Sequence, residues 1–532
     1  MSHSSLQPVA ESLVEQYTEF TSQRVESASL QDVRLSPRDQ ASQEQLLRAL
    51  RLVASHTPSP LLDTLLYWRS EALKCFRGNN ILSSLKKLMI ESAYLEAVLE
   101  VVDGASGNGI HGLQASSLLK LAFQWILRCQ SYVPENELER PRSAVTMLCG
   151  RLLGGMTPVF LSAITENFIK ELRARLGGDG GDGHHDNRAA LFRLCEAMKS
   201  VRLGFGSDEE VVTSIKFLED MHPLKYVAKE KKSQVHHALC DMLVFILRRL
   251  ATSGQVAQFE GDSQILDRWC KTVAHLRANI FKWAVDQKKH YAVGYPLVAV
   301  LLSLEPEANF STEMQSLVDQ IHSKVMRDSK TRPVTLHCLQ ECAHMYLERC
   351  SGSQPKDRLH VWLRDCFKAP LVYVVKGSLS LDMKPGQDLG ATMLGIFRVL
   401  FYYVPEYAVE VMLELLRSDI YTCQSVALQA LRNMILSAPA RASSGADFDA
   451  NQPVHHGALQ EVVDMMRLGQ SPLEVCGVGH LERAIGEALG RTLTACASLF
   501  GSYHIFTVQR SISDHVPRER LPGLKVLEAA LQ

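Results

Sequence analysis

The sequence predicts an all-α protein, folded as a right-handed α-solenoid of stacked helical repeats. Three observations predict it. Apolar residues recur at helical spacing from one end of the chain to the other, in about twenty segments. The links between those segments are mostly short and rich in turn residues. Period-two alternation is scarce, and "SYHIFTVQR" near the end is the best strand candidate. Each helix carries an apolar stripe and no segment resembles an inserted catalytic domain, which favours a solenoid over a bundle.

The elements follow in order. "SQEQLLRALRLVA" places Leu46, Leu50 and Val53 on one face, with Ser42 and Gln45 as a capping box. "SPLLDTLLYWRSEALKCF" opens on Ser59 and then Pro60, a cap followed by a first-turn proline. "TPVFLSAITENFIKELRARL" is an amphipathic helix closed by Gly177, and Asp186 or Asn187 begins the next one. "DEEVVTSIKFLEDM" lines up Val211, Ile215 and Leu218 and puts its acids in the first turn, where they complement the helix dipole. "VPEYAVEVMLELLRSD" and "TCQSVALQALRNMIL" form a helix pair on a short link. No fixed period of identical residues joins these segments, as in divergent HEAT or armadillo units of roughly 40–47 residues. Breaks fall at the Gly/Asp/His loop near 177–186, at "SQPKD", and at the Ala/Ser/Pro/Asp-rich stretch Ser437–Pro453. The expected organisation is a helical array over 1–436, a linker over 437–453 and a C-terminal helical segment over 454–532.

Charge narrows the classes. Lys plus Arg is 57 and Asp plus Glu is 58, so the chain lacks the basic excess that nucleic acid or an anionic membrane demands. Hydrophobic residues make up 46%, enough for a globular core rather than a disordered chain. The 13 cysteines form no C-x-x-C, which suits reduced thiols in a cytosolic protein. The polar opening "MSHSSLQPVAES" reads as neither signal nor transit peptide. No apolar stretch reaches the roughly 18 residues that a membrane span requires.

Three stretches are candidate sites. Gly178–Gly183 spells G-x-G-x-x-G, but a helix precedes it where a dinucleotide fingerprint needs a strand, and Asp179 and Asp182 would repel a pyrophosphate. Asp182, His184, His185 and Asp186 have metal-ligand chemistry, but on a glycine-rich loop they lack a rigid shell to orient them. A turn between two helices explains more. "LHCLQECAHMYLERC" offers His337, Cys338, Cys342, His344 and Cys350, the ligand types of zinc. On a helix the Cys338/Cys342 and His337/His344 pairs point about a hundred degrees apart, so buried thiols and exposed histidines are expected instead. The third candidate is basic: Lys225, Lys229, Lys231, Lys232, Arg248 and Arg249, then Lys282, Lys288, Lys289 and His290. These are either a solvated face or a ridge for an acidic partner, with Lys229, Lys231, Lys232, Lys288 and Lys289 as its expected contacts. Walker A, H-E-x-x-H and G-x-S-x-G motifs are absent, and no cofactor, metal or catalytic residue is assigned.

Four stretches, in order, carry a family resemblance. They are "SQEQLLRALRLVASHTPSPLLDTLLYW", "VVTSIKFLEDMHPLKYVAKEKKSQVHHALCDMLVFIL", "QKKHYAVGYPLVAVLLSL" and "LDMKPGQDLGATMLGIFRVLFYYVPEYAVEVMLELL". The third is the strongest, through Lys288, Lys289, His290, Tyr295, Pro296, Leu297 and Val298. Together they resemble the N-terminal region of the Furry family of cell-morphogenesis proteins, whose typical members are far longer. The resemblance implies a cytoplasmic HEAT/armadillo-like scaffold, placed at the cell cortex or sites of polarised growth. It implies an NDR-type protein kinase with its Mob coactivator, and cytoskeleton-associated proteins, as partners. Two other classes stay open: a cargo-binding solenoid like a transport receptor, and a metal-dependent hydrolase using the His/Asp loop or the Cys/His helix.

Overall fold

The computed structural model describes residues 3–400 except 29–36, 77, 79, 106–109, 111, 133–137, 177–183, 222–233, 306–309, 329, 351–355, 376–391 and 398–399, together with 407, 408, 411 and 415. The described residues are helical, without strands. The helix pair near 404–436, the 437–453 linker, the 454–532 segment and the "SYHIFTVQR" stretch lie almost wholly outside them. The chain divides into two compact units, Met1–Ile280 and Phe281–Gln532.

The first unit holds α1 (His3–Ser27), α2 (Pro37–Ala54), α3 (Pro58–Lys74), α4 (Ile81–Ala105), α5 (Gly112–Tyr132), α6 (Glu139–Leu176), α7 (His184–Met198), α8 (Asp208–Asp220) and α9 (Gln234–Thr252), and the division falls within α10 (Ser263–Asp286). Its helices stack in two rows. In one row α2 packs on α4, α4 on α6 and α6 on α8; in the other α1 packs on α3, α5 on α7 and α7 on α9. Contacts of α1 with α2, α3 with α4 and α5 with α6 tie the rows together. A helix held on several sides must be apolar nearly all round, and α4 is, burying Leu85, Leu88, Tyr94, Leu95, Val98 and Val101.

Side-chain bonds between stacked helices show the repeat as spacing. Gln43 reaches Glu96 across 53 residues, Glu166 reaches Lys216 across 50, Arg173 reaches Asp220 across 47 and Arg268 reaches Glu219 across 49. That spacing lies at or just above the roughly 40–47 residues of HEAT and armadillo units. The buried pair Arg69–Glu91 pins α3 to α4 through two parallel bonds, one of 2.7 Å, with side chains only 18% and 4% exposed.

Several helix ends depart from expectation. α2 begins at Pro37, so Ser42 lies inside it, and its hydroxyl donates to the Arg38 carbonyl at 3.1 Å instead of capping. A serine in mid-helix bonds back one turn, and Pro37 with Asp39 already supplies a first turn. In α3 the cap position is Thr57 and the first-turn proline is Pro58; Ser59 donates to Gln114 Oε1 on α5 at 2.6 Å. α8 follows the sequence reading. Val211, Ile215 and Leu218 are buried, Ser207 Oγ caps the helix by accepting from Glu210 N at 3.3 Å, and the Glu210 carboxylate accepts from the Gly206 amide, one residue before the cap, at 2.8 Å.

α6 corrects the membrane expectation. By length and composition its stretch Glu139–Arg175 could span a bilayer, though it lacks an unbroken apolar run. Half of its most apolar window is buried against the protein, and the helix kinks at Phe160, two residues after Pro158. Gly150 and Gly154 let it approach the end of α7. A Cβ on Gly154 would lie 2.6 Å from the Ser200 carbonyl oxygen.

The second unit contains a short 3-10 turn Lys288–His290, then α11 (Tyr291–Ser303), α12 (Phe310–Gln320), α13 (Thr335–Cys350) and α14 (Lys356–Val375). α11 is buried along nearly its whole length and packs on α12 and α13. Gly294 lets it close on Ala284, where a Cβ would overlap the alanine methyl. The spacing recurs: Cys338 meets Tyr291 across 47 residues and Arg349 meets Ser303 across 46. All-α helical repeats are therefore the fold class.

Candidate docking surface

The basic residues of the sequence fall into three groups. Lys225, Lys229, Lys231 and Lys232 lie outside the described residues. Lys288 and Lys289 belong to the second unit, on the exposed 3-10 turn after α10. Beneath them His290 is buried with its ring stacked on Trp283, centroids 4.0 Å apart. Lys288 is not an unengaged cation. Its ammonium pairs with the Asp328 carboxylate 40 residues on. That bond raises the Lys288 pKa, and with a bond from the Lys330 amide it holds Asp328 below the usual carboxylate range. Lys289 stands exposed beside the pair.

Arg248 and Arg249 form the third group, near the C-terminal end of α9 in the first unit, with Arg249 in its last turn. The stacking of α7 on α9 brings Lys199 and Arg202 to them from the turn after α7. Arg249 donates to the Lys199 carbonyl at 2.7 Å, closing an orphan acceptor just past the end of α7. Arg349 on α13 does the same for Ser303, the last residue of α11, at 2.6 Å. The Phe245 ring takes two cations, Lys199 Nζ at 4.7 Å and the Arg248 guanidinium at 5.1 Å from its centroid. Lys199 also bonds Asp241 at 2.6 Å and Glu196 at 2.7 Å. Burial pulls its pKa down, but those two carboxylates outweigh burial and leave it above the ordinary lysine value. For Arg249 the balance runs the other way. Burial, then the charges of Arg202 and Arg248, lower its pKa. Sequence reading found Arg248 and Arg249 as a pair but missed Lys199 and Arg202, which stand apart from any charge run. The signal that would have found them is the repeat spacing, since Lys199 and Arg249 are 50 residues apart.

The other candidates resolve differently. α6 ends at Leu176, just before Gly177, and α7 begins at His184, two residues before the expected Asp186. Gly178–Gly183 and the side chains of Asp182, His184, His185 and Asp186 lie outside the described part. On α13 the thiols of Cys338, Cys342 and Cys350 are buried, as expected, but His337 and His344 are half-buried rather than exposed. The packing of α13 against α11, α12 and α14 covers more of its circumference than the helical pattern implied. Burial pushes the Cys338 and Cys342 thiols up, which keeps them protonated and poor as ligands or nucleophiles. Among the described residues no three His, Cys, Asp or Glu side chains gather to hold a metal ion.

Stacked helices carrying charged turns at their ends define a helical-repeat protein of the α-solenoid class. The family model for the cell morphogenesis N-terminal region matches residues 85–520, and the chain belongs to that family, the N-terminal region of Furry-type proteins. Three of the four resembling stretches lie inside the match, and the first, residues 42–68, precedes it. The family's name assigns the chain a role in cell morphogenesis. No curated protein sequence gives a significant match. Among solved structures, a circular tandem repeat protein with novel repeat topology and enhanced subunit contact surfaces matches at 12% identity, over 100% of this chain and 97% of its own, with a TM-score of 0.22. A likeness at that TM-score carries no argument about this fold.

Proposed function

We propose that this chain is a non-catalytic scaffold of cell morphogenesis that binds an NDR-type kinase with its Mob coactivator and links that module to cytoskeletal organisation. The observation that supports it is the family match over residues 85–520, on a chain whose described helices stack in rows. Stacked repeats expose helix ends and turns side by side, a surface suited to an extended partner. On this reading the protein acts in the cytoplasm, at the cortex or at sites of polarised growth. Catalysis has no part in it, and the partner is held by surface charge and shape.

Titration calorimetry of the folded chain against the kinase's N-terminal segment bound to its Mob partner tests the proposal. Micromolar or tighter binding is the expected result. No binding by folded protein would remove the kinase reading and raise the cargo-binding alternative.

A further inference from the structure

We propose that the Lys199–Arg202 turn and the C-terminal end of α9 form a docking site for a short acidic peptide segment of a protein partner, with Arg202, Arg248 and Arg249 as its contacts. This deepens the scaffold reading, because it assumes that the chain works by binding.

Four observations carry it. Two helices of one row deliver the cations to one place, so the cluster belongs to the fold and not to a run of sequence. The side chains are held: Arg249 is fixed on the Lys199 carbonyl, and Arg248 lies over Phe245. Capping uses one of the five donors of Arg249 and leaves the planar fork able to meet a carboxylate. Arg202 and Arg248, both of its own sign, act on Arg249, and among the described residues the carboxylates of Glu196 and Asp241 are bonded to Lys199. Like charges held together gain most from an anion placed among them.

The same observations select the class of partner. Nucleic acid and anionic membrane need a basic surface extending over many charges, whereas the whole chain has a net charge of −1. Phe245 already carries two cations and is not a stacking platform for bases. A patch set by two helix ends matches a few consecutive Asp or Glu residues.

The test uses the full chain and a fluorescein-labelled octa-glutamate peptide, read by anisotropy at low salt. Binding should weaken on the order of tenfold in Arg202→Glu, an exposed position, and weaken further in Arg202→Glu/Arg248→Glu. Lys288→Glu/Lys289→Glu should leave it nearly unchanged. Circular dichroism and melting temperature establish that each variant is folded, and Arg202→Gln provides a milder change if the reversal disturbs the turn. Equal binding by the wild type and a folded Arg202→Glu would overturn the site. So would loss of binding only in the lysine variant, or tighter Arg202-dependent binding of a single-stranded oligonucleotide of equal charge. If octa-glutamate binds in an Arg202-dependent way while the kinase–Mob module does not bind, the site stands and the kinase assignment fails. If the module binds equally well to the wild type and Arg202→Glu, the kinase assignment stands and the site fails.

Discussion

At the end of α9, Arg249 feels the like charges of Arg202 and Arg248; on the turn before α11, Lys288 is paired with Asp328. In sequence the lysine turn is the denser of the two, with Lys288, Lys289 and His290 in succession. In space it is the weaker field, because a carboxylate from 40 residues away cancels one charge and His290 is buried on Trp283. The arginine site is thin in sequence and concentrated in space. Stacking of equivalent helices decides the difference, since it superposes residues one repeat apart and leaves neighbours in sequence to their own surroundings. The guanidinium also suits the role better than the ammonium, because it can cap a carbonyl, lie on a ring and still offer a planar fork.

Burial sets what each charge contributes, and substitutions at graded depth test that comparison. The largest effect is expected at the buried extreme. Glu91→Ala leaves Arg69 without its two bonds inside the α3–α4 interface, and should cost about 3 kcal/mol in denaturant unfolding. A loss below about 1 kcal/mol would mean that burial is not what gives this pair its strength.

Gly154→Ala comes next. The new methyl would press on the Ser200 carbonyl, in the turn that carries Lys199 and Arg202. The expected loss is about 1–3 kcal/mol, accompanied by weaker octa-glutamate binding as the turn shifts. The equivalent change at Gly294, against Ala284, should cost stability in the second unit without touching peptide binding.

A smaller effect is expected for Arg249→Ala. It removes the bond to the Lys199 carbonyl but also relieves repulsion by Arg202 and Arg248, so the net loss should be about 1 kcal/mol or less. A matching Arg349→Ala removes two carbonyl bonds, to Leu302 and Ser303, and should cost more.

The smallest effect belongs to the exposed clasp. Lys288→Ala should lower the melting temperature at neutral pH only slightly, because the pair is exposed. The pair's small contribution should be confined to the pH range between the two folded-state titrations and vanish at both extremes. Asp328 has a lowered pKa, so its contribution is present above the unfolded carboxylate value and fades as pH falls through the folded one. Lys288 has a raised pKa, so its contribution is present below the unfolded lysine value and fades as pH rises through the folded one. Wild type and variant should therefore converge in stability at both ends of a pH series. A constant gap across the series would show that the pair contributes through packing rather than charge.

The helix ends show where sequence reading stopped. The Val211–Ile215–Leu218 stripe and the first-turn acids were legible because they are local patterns, whereas the Ser207 cap, equally local, was missed. Ser42 misled, since a serine hydroxyl serves equally to cap a helix or to bond back one turn, and the choice depends on where the helix starts. Ser59 misled for a different reason. Its partner, Gln114, lies on another helix 55 residues away.

By itself the sequence determined that the chain is all-α and built of repeated helices, and it carried the blocks that mark its family. Both are properties of short segments, set by residue order within a few turns of the chain. The tertiary structure alone decided which charges meet: that Lys288 has Asp328, that Arg69 has Glu91, and that Arg249 has two arginines. Coulomb interaction and burial depend on distance through space, and in a stack of helices that distance is fixed by the register of one repeat on the next.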